Sequence, residues 1–146
     1  GATNVHLTFE FDLPKFRKLA TELGLDVDFR DATTEPWEAM KDFACFVVPS
    51  RIEGLPVAIL EALSMNIPVV ASDLPGMVEF NELSKARGYL SFVHLAKKED
   101  PQDLAEVVSR VLNEGAEFDS HAYIKDYYSP KKHCSDLVSI YRELCH

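Results

Sequence analysis

Basic charge is scarce in this chain. Lys and Arg number 15 against 24 Asp and Glu, a formal net charge of −9 over 146 residues. A general nucleic-acid binder needs a basic face to neutralise phosphates, so that class is excluded, although one local anion site is not. No apolar run approaches the roughly 20 residues that a membrane span needs, and no secretory signal pattern opens the chain. Cysteine is sparse and odd in number. Cys45, Cys134 and Cys145 lie far apart, which speaks for reduced thiols and a cytoplasmic protein rather than a disulfide framework. No Cys/His spacing resembles a zinc site. Internal repeats and low-complexity tracts are also missing.

What is present is ordinary globular composition, 47% apolar and 27% charged, in a length suited to one domain over residues 1–146. Val5 to Phe11 alternates as a strand does. "DLPKFRKLATELG" follows with helical spacing and Gly24 as its C-cap. "DVDFR" reads as a short strand, and "TTEPWEAMKDF" as a helix capped by Thr34 with Pro36 in its first turn. "CFVVP", from Cys45, and "IPVVAS" are continuous apolar runs of strand length, expected to be buried on both faces. "LPGMVEFNELSKARG" is a turn and helix, and "YLSFVHL" a further strand. Pro101 and Pro130 open two closing helices. The second carries Cys134, Leu137, Val138 and Tyr141 on one stripe, read as core, as is Cys45. A short helix lies between them around His121 to Tyr127. Strands alternating with helices imply a doubly wound, Rossmann-like α/β domain: about five parallel strands with helices on both faces. Ligands in such sheets bind outside the carboxyl ends of the strands.

One stretch stands out, "SRIEGLPVAILEALSMN" from Ser50 to Asn66. From Pro56 it reads as a helix that is apolar nearly all round, and such helices are buried. Glu61 sits inside it, and a buried carboxylate is costly unless something hydrogen-bonds to it. Either Glu61 pairs with a Lys or Arg or reaches water through a gap, or its partner is a ligand whose vicinal hydroxyls suit a carboxylate acceptor. The start of the helix favours a ligand. A loop after a buried strand leads into a helix N-terminus, whose free N–H groups and dipole attract an anion. Gly54 lets the backbone come close. Arg51 adds a positive charge or is a solvated surface residue. Glu61 lies about 7.5 Å further along the axis, near a nucleotide's phosphate-to-ribose distance. Glu53 would repel an anion, yet it suits a neutral, hydroxyl-rich group attached to one. A nucleotide-diphosphate sugar meets all three requirements.

These residues carry a resemblance. "FVVPSRIEGLPVAILEALSMNIPVVASDLPGMVEF", Phe46 to Phe80, resembles the donor-binding, C-terminal domain of family 4 retaining GT-B glycosyltransferases (glycosyl transferases group 1). The family pattern is P-S-x-x-E-G-x-P, a second glutamate eight residues after the first, P-V-V-A-S-D and a G-G-x-x-E-like turn. Pro49, Ser50, Glu53, Gly54, Pro56, Glu61, Pro68, Asp73, Gly76 and Glu79 stand in register with it. The resemblance implies that Glu53 contacts the donor sugar near the reacting centre, in a catalytic role, and that Glu61 binds the ribose hydroxyls. Ser50, Arg51 and the backbone around Gly54, Leu55 and Pro56 would lie close to the sugar and diphosphate. The loop from Arg30 to Thr33 corresponds to the nucleobase contact. No metal or other cofactor is implied, because protein charges and the helix end stabilise the leaving diphosphate. The implied activity is a hexosyltransferase of polysaccharide or glycolipid synthesis. Its partners would be a nucleotide sugar and an N-terminal acceptor-binding domain placed before residue 1, with room for peripheral attachment of the parent at a membrane.

Two departures stand against the pattern. No Gly-rich turn follows "VHLTFEF", and the double glycine after Ser72-Asp73 is Pro75-Gly76, which stiffens that turn. An isolated domain of this kind is expected to be inactive. The second reading is a degenerate GT-B domain kept as a scaffold or partner-binding module. A third is another GT-B enzyme, such as an epimerase or glucan synthase. The five histidines show no catalytic spacing, and Trp37 and Tyr127-Tyr128 read as packing residues or contacts to the absent domain.

Overall fold

The computed structural model describes residues 5–7, 13–30, 33–114 and 119–145. Contacts divide the chain into two compact units, Gly1–Glu35 and Pro36–His146. In the first, β1 (Val5–Leu7) and β2 (Val27–Phe29) pair in parallel around α1 (Leu13–Glu22). The predicted continuation of β1 to Phe11, and the turn after it, lie outside the described residues. Gly24 ends α1 in the left-handed region at φ 63°, and the Leu25 N–H reaches back to the Ala20 carbonyl at 2.9 Å, as the C-cap reading required.

The second unit is a parallel sheet in the order β3 (Phe46–Val48), β4 (Val69–Ser72), β5 (Val93–Ala96). Helices α3 (Val57–Ser64) and α4 (Pro75–Ala86) make the crossovers, followed by α5 (Pro101–Glu114), α6 (Ser120–Tyr127) and α7 (Pro130–Leu144). Period-two alternation sorts the strand side chains. Val69, Ala71 and Val93 join Ile59, Leu63, Met77, Phe80 and Tyr123 in the larger core, on the side of α3, α4 and α6. Val70 and Ala96 pack instead with Val107 and Val111 of α5. The architecture is thus α/β, with a parallel sheet covered by helices on both faces. Among the described residues no helix is long and apolar enough to cross a membrane.

Capping explains several boundaries. Asn66 closes α3 at φ 58°, and its Oδ1 accepts the His121 N–H at 2.9 Å at the start of α6. The His121 imidazole meets the Ser64 carbonyl at 2.6 Å. Both contacts satisfy the open carbonyl end of α3 or tie α6 beside it. Pro101 and Pro130 do begin helices. Before α2 (Pro36–Met40) the Thr33 hydroxyl accepts the Glu35 N–H at 3.0 Å in a local turn, and the expected cap from Thr34 makes no hydrogen bond among the described residues.

Three expectations change. β3 is not buried on both faces, since Val47 is 37% exposed and Phe46 and Val48 are half-buried. The last strand begins at Val93, and Tyr89 turns inward against Phe92 and Tyr123 instead. Helix α7 buries no residue among those described, and Cys134 is exposed on it. Cys45 is half-buried, and burial pushes its thiol up to about 11, the mark of an inert packing cysteine.

Candidate functional site

The carboxyl edge of the β3–β4–β5 sheet is built from three loops. The first, Pro49 to Pro56, leaves β3 and enters α3. Pro56 is extended (φ −61°, ψ 135°) and is the N-cap of α3 rather than its first helical residue. Its ring supplies no oxygen, so the first-turn N–H groups of α3 receive no side-chain cap. The second loop, Asp73-Leu74, enters α4, which also lacks a side-chain cap. The third, Lys97 to Asp100, runs between β5 and α5. Asp73 joins the last two, accepting the Lys98 N–H at 2.7 Å. Two helix N-termini thus meet this sheet edge. Helix α4 opens on Pro75, which has no N–H, and its Met77 N–H bonds the Leu74 carbonyl at 2.9 Å. It is therefore the Val57 and Ala58 N–H groups of α3, without a partner among the described residues, that favour negative charge there.

The contact between the first two loops is a backbone-to-backbone one. A Cβ built on Gly76 would collide with the Gly54 carbonyl oxygen and stand 2.7 Å from its carbonyl carbon. Position 76 therefore admits only glycine without movement. The neighbouring proline causes no such difficulty, since Pro75 occupies the first turn of α4, where its missing N–H is not needed. The Pro75-Gly76 departure thus keeps the glycine that the packing demands. Gly54 itself faces open space on the side a Cβ would occupy.

Of the residues singled out from sequence, six lie in the first loop. Glu53 is exposed, and its Oε1 accepts from the Ser50 hydroxyl at 3.4 Å, a long bond. Arg51 is engaged by Glu99, Nε to Oε1 3.1 Å, both side chains largely exposed. Glu99 is held at φ 60° in the third loop. No sequence signal pointed to that pairing. Leu55 and Pro56 are half-buried.

Glu61 sits a turn into α3. The helix is less enclosed than its composition suggested: Ile59, Ala62 and Leu63 are fully buried, but Val57 is 68% exposed. Glu61 is half-buried on the side of Val57. Among the described residues no hydrogen bond or ion pair reaches its carboxylate, so the Lys or Arg partner does not materialise there. The Arg30 loop belongs to the first unit, where Arg30 binds Asp28 at 2.7 Å.

Sequence reading missed a cleft of about 280 Å³ beside the first loop. It is lined by Gly54 and Gly76, by the apolar and aromatic side chains of Leu55, Phe80, Leu83 and Tyr128, and by Glu79. The Tyr128 ring packs on Phe80 at 5.4 Å and on Tyr123 at 5.7 Å, between centroids. Glu79 is exposed and makes no hydrogen bond or ion pair among the described residues. The motif string held Gly76 and Glu79, but nothing linked them to Leu83 or Tyr128.

The fold and this edge define a Rossmann-like α/β domain whose open loops follow the strand ends. The chain belongs to the glycosyl transferases group 1 family, whose profile matches residues 9–114. It is 27% identical over 136 residues to the O-antigen biosynthesis glycosyltransferase WclY of Escherichia coli, covering 91% of this chain and 35% of that protein. It is 31% identical over 90 residues to the capsular polysaccharide biosynthesis glycosyltransferase CapH of Staphylococcus aureus, covering 57% and 25%. The N,N'-diacetylbacillosaminyl-diphospho-undecaprenol α-1,3-N-acetylgalactosaminyltransferase of Campylobacter jejuni is 34% identical over 88 residues, covering 60% and 22%. In structure the chain is similar to S. aureus TarM, solved as a variant with fondaparinux, α-GlcNAc-glycerol and UDP, with TM-score 0.71, 23% identity and coverage of 92% of this chain and 28% of TarM. The matched stretches therefore span 22–35% of these proteins' lengths.

Proposed function

We propose that this chain is the donor-binding, C-terminal domain of a family 4 retaining GT-B glycosyltransferase. The parent would move a hexose from a nucleotide-diphosphate sugar to an acceptor in polysaccharide or glycolipid synthesis. The observation that carries the reading is Glu61, a half-buried carboxylate with no protein partner among the described residues, on a helix whose N-terminus is uncapped at the sheet's carboxyl edge. The Glu61 oxygens accept from the two ribose hydroxyls, and the first-turn N–H groups of α3 face the diphosphate. Glu53 and Ser50 meet the sugar hydroxyls near the anomeric carbon. Arg51 leaves Glu99 or shares it to add positive charge at the phosphates. Stabilisation of the leaving diphosphate is then electrostatic, from oriented dipoles and cations, without a metal.

Family membership supports a glycosyltransferase parent, and the names of WclY and CapH support a role in surface polysaccharide. The UDP in the TarM complex supports a nucleotide donor. On this reading the chain alone binds donor without turnover, and the rest of the parent supplies the acceptor face. Titration of the chain with UDP- and GDP-sugars, followed by amide resonances, tests it. Shifts centred on Gly54 and Glu61 are expected, and their absence at millimolar ligand would sink the reading.

A further inference from the structure

The cleft beside Gly54 lies at the sugar end of the proposed donor path. Glu53 directly precedes Gly54, which lines it, whereas Glu61, assigned above to the ribose, is eight residues on from Glu53 and does not line it. Its chemistry is two-sided. Leu55, Phe80, Leu83 and Tyr128 offer apolar and aromatic walls, and Leu83 is 38% exposed, so that wall is open. Glu79 offers an exposed carboxylate with no partner among the described residues, free to accept from a ligand.

Candidate sugar substituents satisfy these two demands unequally. A hydroxyl would bind Glu79 and leave the walls wetted. A deoxy methyl group would cover the walls and make no use of Glu79. A uronate would meet Glu79 as a like charge. An acylamino group has both an N–H for the carboxylate and a methyl for the walls. Resting on the donor reading above, we infer that the cleft takes the acetamido group of a 2-acetamido-hexose donor. Glu79 accepts its N–H, and Leu83 and Tyr128 enclose its methyl group.

The test is calorimetric titration of the full chain with two pairs, UDP-GlcNAc against UDP-glucose and UDP-GalNAc against UDP-galactose. The acetamido member of at least one pair should bind roughly tenfold tighter, the scale of one extra small group in an apolar pocket. Leu83→Phe, which fills the cleft, and Glu79→Ala, which removes the acceptor, should each shrink that ratio towards one, with circular dichroism checking the fold. Equal affinities within both pairs would overturn the acetamido assignment and leave the donor reading standing. No binding by any of the four, nor by GDP-mannose titrated alongside, would overturn both. Selectivity that survives Leu83→Phe in a folded variant would place its source elsewhere and overturn the cleft.

Discussion

On α3, one face carries Ile59, Ala62 and Leu63 with no exposed surface, and the other carries Val57 and Glu61 at the sheet edge. The first face is locked into the larger core with Val69, Ala71 and Phe80. The second is open, with Val57 68% exposed and Glu61 half-buried. An apolar helix can therefore hold two kinds of residue in one turn, those that keep the fold and those left open for something else. Glu61 falls in the second group, which is why its charge needs no protein partner to be tolerated. If that division is real, substitutions on the two faces should separate stability from binding.

The largest loss of stability should come from the inner face. Leu63→Ala removes a fully buried side chain and should cost about 2–5 kcal/mol in urea unfolding. Gly76→Ala should come next. Its new methyl meets the Gly54 backbone rather than a movable side chain, so roughly 1–3 kcal/mol is expected, together with a shift of the Gly54 amide resonance. A smaller effect belongs to the other side of the sheet. His94 sits on β5 with its Nε2 buried and unbonded among the described residues. Burial, then the charge of Arg110, lowers its pKa from 6.5, partly offset by Glu114. The unfolded chain thus takes up this proton more readily, so stability is present above about pH 6.5 and falls as pH drops through the lowered folded value. His94→Gln should flatten that part of the pH–stability profile. Arg51→Ala breaks an exposed ion pair and should change stability by under about 1 kcal/mol.

Much of this was legible in the sequence, for reasons that differ by element. The β4 run "VVAS" is short, continuous and apolar, and it is buried throughout. Pro marked the starts of α5 and α7 and Asn66 the left-handed close of α3, because those residues have few backbone choices, while the start of α3 fell one residue later than Pro56. The first loop was legible because Glu53, Gly54 and Glu61 sit in one string. The cleft was not, since Leu83 and Tyr128 reach Gly54 only through the packing of Phe80 and Tyr123. Helix α7 shows the limit of periodicity. Its Leu137, Val138 and Tyr141 stripe was read as core, yet all three are exposed, because spacing marks an apolar face without naming what covers it.

The most direct test of the account is a paired measurement on Glu61→Ala: urea unfolding and nucleotide-sugar affinity of the same preparation. Stability should move by no more than about 0.5 kcal/mol, while affinity falls by roughly tenfold or more, as loss of hydrogen bonds to a charged acceptor requires. A large loss of stability with affinity intact would contradict it, and would make Glu61 a structural carboxylate instead of the ribose acceptor.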